Sequence, residues 1–166
     1  MIWGMSAGTF TLVHVVISLI GIFSGFVVVS GLLRSNRSVG WTAIFLVTTI
    51  LTSVTGFGFP FDRFLPSHWV GVISLVVLAV ALLALYAFHL SGPWRWIYVV
   101  TAMLALYLNV FVVVVQSFLK VSFLKPLAPT QSEPPFLVAQ VVVMAIFIAL
   151  GVIAARRFHP GASASA

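Results

Sequence analysis

Cysteine is absent from this chain, and charge nearly so: among 166 residues eight are Lys or Arg and two are Asp or Glu. The missing thiols exclude disulfides, thiolate metal sites, iron–sulfur clusters and cysteine nucleophiles, and they leave the redox state of the compartment unread. The only carboxylates, Asp62 and Glu133, lie in loops and belong to no recognisable metal or triad motif, which argues against a hydrolytic enzyme. Met1, Met5, Met103 and Met144 form no cluster of the kind that handles copper. No nucleotide, protease or transporter signature stands out.

What the chain has instead is apolar sequence. The composition is 62% hydrophobic with 6% charged residues, and the mean hydropathy is +1.24, against roughly 25% charged residues in an ordinary soluble domain. Long apolar runs cover residues 9–33, 41–57, 69–90, 96–119 and 136–155. Each is near the ~20 residues that a helix rising ~1.5 Å per residue needs to cross a bilayer core. The expectation is an all-α integral membrane protein with five transmembrane helices in one bundle, a single domain over residues 1–159, its lipid-immersed core held by helix packing. The first run follows no basic segment and shows no clear small-residue cleavage site, so it reads as a retained helix.

Basic residues follow the loops. If the spans alternate, Arg34, Arg37, Arg95, Arg156 and Arg157 share one side and Arg63, Lys120 and Lys125 the other, five against three. That bias places the N-terminus outside and the C-terminus in the cytoplasm of a bacterial-type inner membrane. The net charge of +6 is thereby explained by orientation and anionic headgroups, and no nucleic-acid partner is implied. The outer loops are aromatic and proline-rich. Phe57-Gly-Phe-Pro-Phe-Asp-Arg-Phe64 suits an interfacial belt, and Pro126, Pro129, Pro134 and Pro135 stiffen a cover over residues 120–136. Residues 160–166, small and featureless, read as a disordered cytoplasmic tail.

A weak internal likeness links the first two spans with the next two. His14 opens the first with Ser18 following, His68 opens the third with Ser74 following, and Trp41 and Trp96 each open the even-numbered partner. The comparison suggests a parallel repeat of helices 1–2 and 3–4 with helix 5 added. Polar residues inside the spans gather towards one end. His14, Ser18, Gly21 and Gly25 fall on one helical face, as do Thr48, Thr52 and Thr55, and Asn109, Gln116 and Lys120; Gln140 lies in the fifth span. Amides and imidazoles avoid lipid and should face the interior, either as structural glue or as a pocket.

The expectation drawn from these stripes is an outward-facing polar pocket. Its lining is Thr52, Thr55, Asn109, Gln116, Lys120, Glu133 and Gln140. A cofactor would be held by His14 and His68, with Ser18, Gly21 and Gly71 beside them. Two imidazoles on facing helices could ligate the iron of haem b, hold a metal ion, or bind a quinone head group in electron transfer. Two other classes compete: a small-solute or proton transporter, and a non-catalytic accessory or assembly subunit. The expected partners are the lipid bilayer and a homo-oligomer or larger membrane complex.

Overall fold

A computed structural model describes residues 1–64 and 66–161; residues 162–166 of the tail lie outside that range. Among the described residues five long helices make up the fold: α1 (Ala7–Leu33), α2 (Val39–Gly56), α3 (Pro66–Leu82, continued to Ala87 by one π-type turn), α4 (Trp94–Lys120) and α5 (Pro134–Arg157), with one short 3-10 turn at Lys125–Leu127. All five are long and apolar enough to cross a membrane, and no strand forms among the described residues. The architecture fits a multi-pass membrane protein.

The ends follow local chemistry. Ser6 precedes α1 and accepts a hydrogen bond from the Thr9 backbone N–H at 3.1 Å, satisfying one of the unpaired donors of the first turn. Pro134, whose missing N–H costs nothing in a first turn, opens α5. At the other end of α5, the Arg95 guanidinium donates to the carbonyl of Ala155 at 3.1 Å and to that of Phe158, closing orphan carbonyls from a neighbouring helix. His159 N–H reaches Ser35 Oγ at 2.8 Å and ties the end of α5 to the end of α1.

In chain order the helices form a closed ring in which α1 also packs across onto α4. α1 and α2 make the most extensive pairing, and α4, flanked by α1, α3 and α5, is the most embedded. Two ends can be distinguished: an arginine end, with Arg34, Arg37, Arg95, Arg156 and Arg157, and an aromatic end, with the loops at 57–64 and 121–133. The main core runs from the arginine end to mid-bundle around Phe45, Leu46, Leu78, Val99, Leu106 and Phe158. A smaller cluster of Phe118, Ala128 and Phe136 seats the 121–133 loop on α4 and α5.

Glycine sets the closest approach. An added methyl group on Gly25 would stand 2.6 Å from Leu106 Cδ1 and 2.9 Å from Phe45 Cε2, so α1, α2 and α4 meet there because no side chain intervenes. Beyond that point the seam opens. Along one stripe of α4 at seven-residue spacing, Val99 and Leu106 are fully buried, whereas Val113 is 41% exposed and Lys120 is exposed. The neighbouring stripe repeats the change, from buried Ala102 and Asn109 to exposed Gln116. The face of α4 that makes the core at the arginine end is therefore uncovered at the aromatic end.

Candidate functional site

The floor of this opening is polar. Asn109 Nδ2 lies 3.4 Å from Thr49 Oγ1, a long hydrogen bond between α4 and α2. Gly21 of α1 sits against both, its absent methyl position 3.4 Å from Thr49 Oγ1 and 3.7 Å from Asn109 Nδ2. Asn109 and Thr49 thus act as glue at a three-helix junction, and the space beside Gly21 is filled by their side chains.

Two turns nearer the aromatic end, His14 Nδ1 lies 2.7 Å from Thr55 Oγ1, joining α1 to α2. Thr55 Oγ1 is also 2.7 Å from the Leu51 carbonyl oxygen, one turn back in its own helix. A hydroxyl has one proton. Given to Leu51, it leaves Thr55 as the acceptor of the His14 Nδ1–H, and the imidazole then carries its lone pair on Nε2. Ser18 returns its hydroxyl to the His14 carbonyl at 2.7 Å and needs no other partner. Thr52 Oγ1 is buried without a hydrogen-bond partner. His14 and Thr55 lie towards the same end of the bundle as the open face of α4 beyond Asn109, the face that carries Lys120.

His68 has different surroundings. It is 4% exposed and lies among three phenyl rings, with centroid distances of 4.1 Å to Phe61, 5.1 Å to Phe64 and 5.5 Å to Phe57. Gly71, one turn on, is where Phe57 presses against α3: a methyl group there would stand 3.0 Å from Phe57 Cε2. His14 meets Phe59 instead, edge to face at 5.2 Å. One loop thus covers both histidines, sending Phe59 to one and Phe57, Phe61 and Phe64 to the other. α1 and α3 are not a packed pair; α2 and α4 are the helices each has in common.

Two of the remaining pocket candidates are engaged elsewhere. Glu133 is half-buried, and its carboxylate accepts from Thr130 Oγ1 at 2.7 Å, from Thr130 N–H at 3.1 Å and from Ser132 N–H at 3.1 Å. Those bonds, the Thr130 hydroxyl first, hold its carboxyl below the usual carboxylate range. Its role is to clasp the 121–133 loop, which Gln131 also anchors by donating to the Val115 carbonyl at 2.9 Å. Gln140 is buried on α5 and donates to the Phe111 carbonyl at 3.3 Å, on the α4–α5 side of the bundle.

Several buried polar residues escaped the sequence stripes. Thr49 and Ser53, four apart on α2, are more deeply buried than Thr52, and Ser53 Oγ reaches Ser74 Oγ of α3 at 3.0 Å. Ser18 and Ser74 accordingly do different work, one bonding within its helix and the other between helices. The i, i+4 spacing of Thr49 and Ser53 was an available signal, whereas the spacing of Phe57, Phe59 and Phe61 gave none for the way the loop divides its rings between the two histidines.

Comparison of the chain with protein families, with characterised proteins and with solved structures finds no match.

Proposed function

We propose that the opening between α1, α2 and α4 at the aromatic end binds the head group of a membrane quinone, with His14 as its principal polar contact. The observation that carries this reading is the His14–Thr55 hydrogen bond of 2.7 Å, with the Thr55 hydroxyl proton assigned to Leu51. An imidazole fixed through Nδ1–H offers Nε2 as an acceptor for a hydroxyl proton, which the reduced, quinol form supplies. Lys120 and Gln116, on the uncovered stripe, carry N–H donors suited to the carbonyl oxygens of the oxidised form. Quinone and quinol interconvert by two electrons and two protons, and an acceptor at Nε2 can take one of those protons. Phe59 supplies an aromatic wall beside the imidazole.

The same lone pair suits haem iron, but a haem b ligated by both His14 and His68 requires α1 and α3 to face one cavity. Each histidine lies against rings of its own, and the two helices do not pack together, which favours the quinone. An absorption spectrum of the purified protein separates the two: no Soret band is expected, and a Soret band lost in His14→Ala would replace the quinone with haem. Direct binding is measured by titrating a short-chain benzoquinone and following quenching of tryptophan fluorescence. Saturable quenching that weakens in His14→Leu is the expected result. Linear quenching, equal in both proteins, would refute the site.

The proposed setting is a bacterial-type inner membrane, with the aromatic end outside and the arginine end in the cytoplasm. The five arginines at one end, against Arg63, Lys120 and Lys125 at the other, support it. Reporter fusions after Arg37 and after Arg157 should both read cytoplasmic, and an external reading at either point would reverse the map.

A further inference from the structure

The arginine end carries charge that nothing in the chain answers. Arg34, Arg37, Arg156 and Arg157 are exposed, and none of them makes a side-chain hydrogen bond or ion pair among the described residues. The only acids, Asp62 and Glu133, belong to the loops of the aromatic end. Nor are these guanidiniums needed as helix caps. Arg95 already closes the carbonyls of Ala155 and Phe158, and the backbone N–H groups of Arg34, Ser35 and Asn36 close those of Gly31 and Leu32.

The fold brings part of this charge together. His159 N–H reaches Ser35 Oγ at 2.8 Å, which joins the end of α5 to the end of α1. Arg34 adjoins Ser35 and Arg157 stands two residues before His159, so at ~3.8 Å between consecutive Cα atoms each lies within about 8 Å of its side of that joint. The helix faces agree. Phe26 of α1 and Phe147 of α5 meet at 6.2 Å, and Arg157 follows Phe147 on that flank through Leu150 and Ala154, at steps of three, four and three, whereas Arg156 is turned to the far side. On α1, Ser30 and Leu33 continue the flank of Phe26 at i+4 and i+7. Ser18 and Ser24 return their hydroxyls to the preceding turn, but the half-buried Ser30 makes no such bond. Phe26 is 45% exposed, so apolar surface continues from the joint into the membrane-spanning part of α1.

We propose that the joint between α1 and α5 holds the phosphodiester head group of an anionic phospholipid, with Arg34 and Arg157 as charged donors, Ser30 as a neutral one, and the acyl chains against Phe26. Guanidinium groups match phosphate oxygens in charge and in geometry, and a basic site between helix ends at the membrane surface is where such a head group lies. A soluble anion would answer the charge alone; the apolar flank directly beneath it favours a ligand that carries chains. The site is separate from the His14 opening, which lies at the other end of the bundle.

The test uses the full-length protein, stripped of lipid in detergent and read by native mass spectrometry, with two probes of identical acyl chains: a phosphatidylglycerol and a phosphatidylcholine. Phosphatidylglycerol is expected to form a single saturable adduct and to exceed phosphatidylcholine about tenfold at equal concentration, the weight of one hydrogen bond to a charged group. Arg34→Gln and Arg157→Gln should each lower that adduct about fivefold, and Ser30→Ala, which changes no charge and breaks no bond of the fold, about threefold. Arg156→Gln removes the same charge from the far side of α5 and should bind as the unaltered protein does. Equal adducts from the two lipids, a loss in Arg156→Gln as large as that in Arg157→Gln, or displacement of phosphatidylglycerol by glycerol phosphate at the same concentration would overturn the proposal.

Discussion

Gly25→Ala tests the packing on which the opening depends. The added methyl group would stand 2.6 Å from Leu106 Cδ1 and 2.9 and 3.0 Å from two atoms of the Phe45 ring. Both neighbours are essentially unexposed, at 0% and 1%, so neither can swing into open space. Overpacking of this kind costs about 1–3 kcal/mol, offset by the roughly 1 kcal/mol that alanine gains over glycine inside a helix. A net loss of about 0–2 kcal/mol is expected on combining the two, and about 1–3 kcal/mol relative to a glycine-to-alanine change that meets no neighbour. Gly8→Ala and Gly40→Ala provide the reference, because nothing lies within 4 Å of either methyl position; they should be neutral or slightly stabilising. Thermal unfolding in detergent, with about 2–4 °C per kcal/mol for a chain of this length, resolves the difference. If Gly25→Ala melts with Gly40→Ala, α1 and α4 are not held at that distance and the opening beyond it loses its hinge point.

Asn109→Leu should lower stability by about 0.6–1.7 kcal/mol, the range for a hydrogen bond between helices in a membrane, and the long 3.4 Å separation from Thr49 points to the lower part of it. Gln116→Leu, on the exposed stripe of the same helix, should leave the melting temperature unchanged and weaken quinone binding; a loss of stability without a loss of binding would place Gln116 in the packing instead. Because its hydrogen bonds hold the Glu133 carboxyl below its usual range, the clasp on the 121–133 loop is present above the ordinary carboxylate value and is lost as pH falls through the lowered one. Limited proteolysis of that loop should accelerate in acid, and Glu133→Ala should be cleaved quickly at every pH. Phe59→Ala should uncover His14, read as faster acylation of its imidazole; an unchanged rate would mean that Phe59 does not cover that ring.

The five helices were legible because length and apolarity alone specify them, and their observed bounds lie within a few residues of the apolar runs. Pairing was harder to see. α1 is hydrophobic nearly all round, and a stripe of His14, Ser18, Gly21 and Gly25 identifies a face without saying which helix meets it. Gly21 and Gly25 proved to be contact points with α2 and α4, the packing use of small residues. The placing of Gln116 illustrates the limit most clearly. It shares a face with Asn109, yet one is buried and the other exposed, because burial depends on how the neighbouring helices diverge along α4, and no property of α4 itself records that. The use of Glu133 as a clasp for its own loop was likewise hidden in an ordinary run of Thr130, Gln131, Ser132 and Glu133, where the deciding fact is a turn geometry that brings two N–H groups and a hydroxyl onto one carboxylate.

The quinone site is tested most directly by comparing the affinities of the oxidised and reduced forms of one short-chain benzoquinone for the purified protein and for Thr55→Val. With Nδ1–H fixed by Thr55, His14 Nε2 accepts from the quinol hydroxyl, so the quinol should bind about 2–10-fold more tightly than the quinone, the span expected of one net hydrogen bond. Valine matches threonine in shape but accepts no hydrogen bond, and the preference should disappear in that variant. Equal affinities for the two forms in the unaltered protein, or a preference that survives Thr55→Val, would contradict the assignment of His14 as the acceptor.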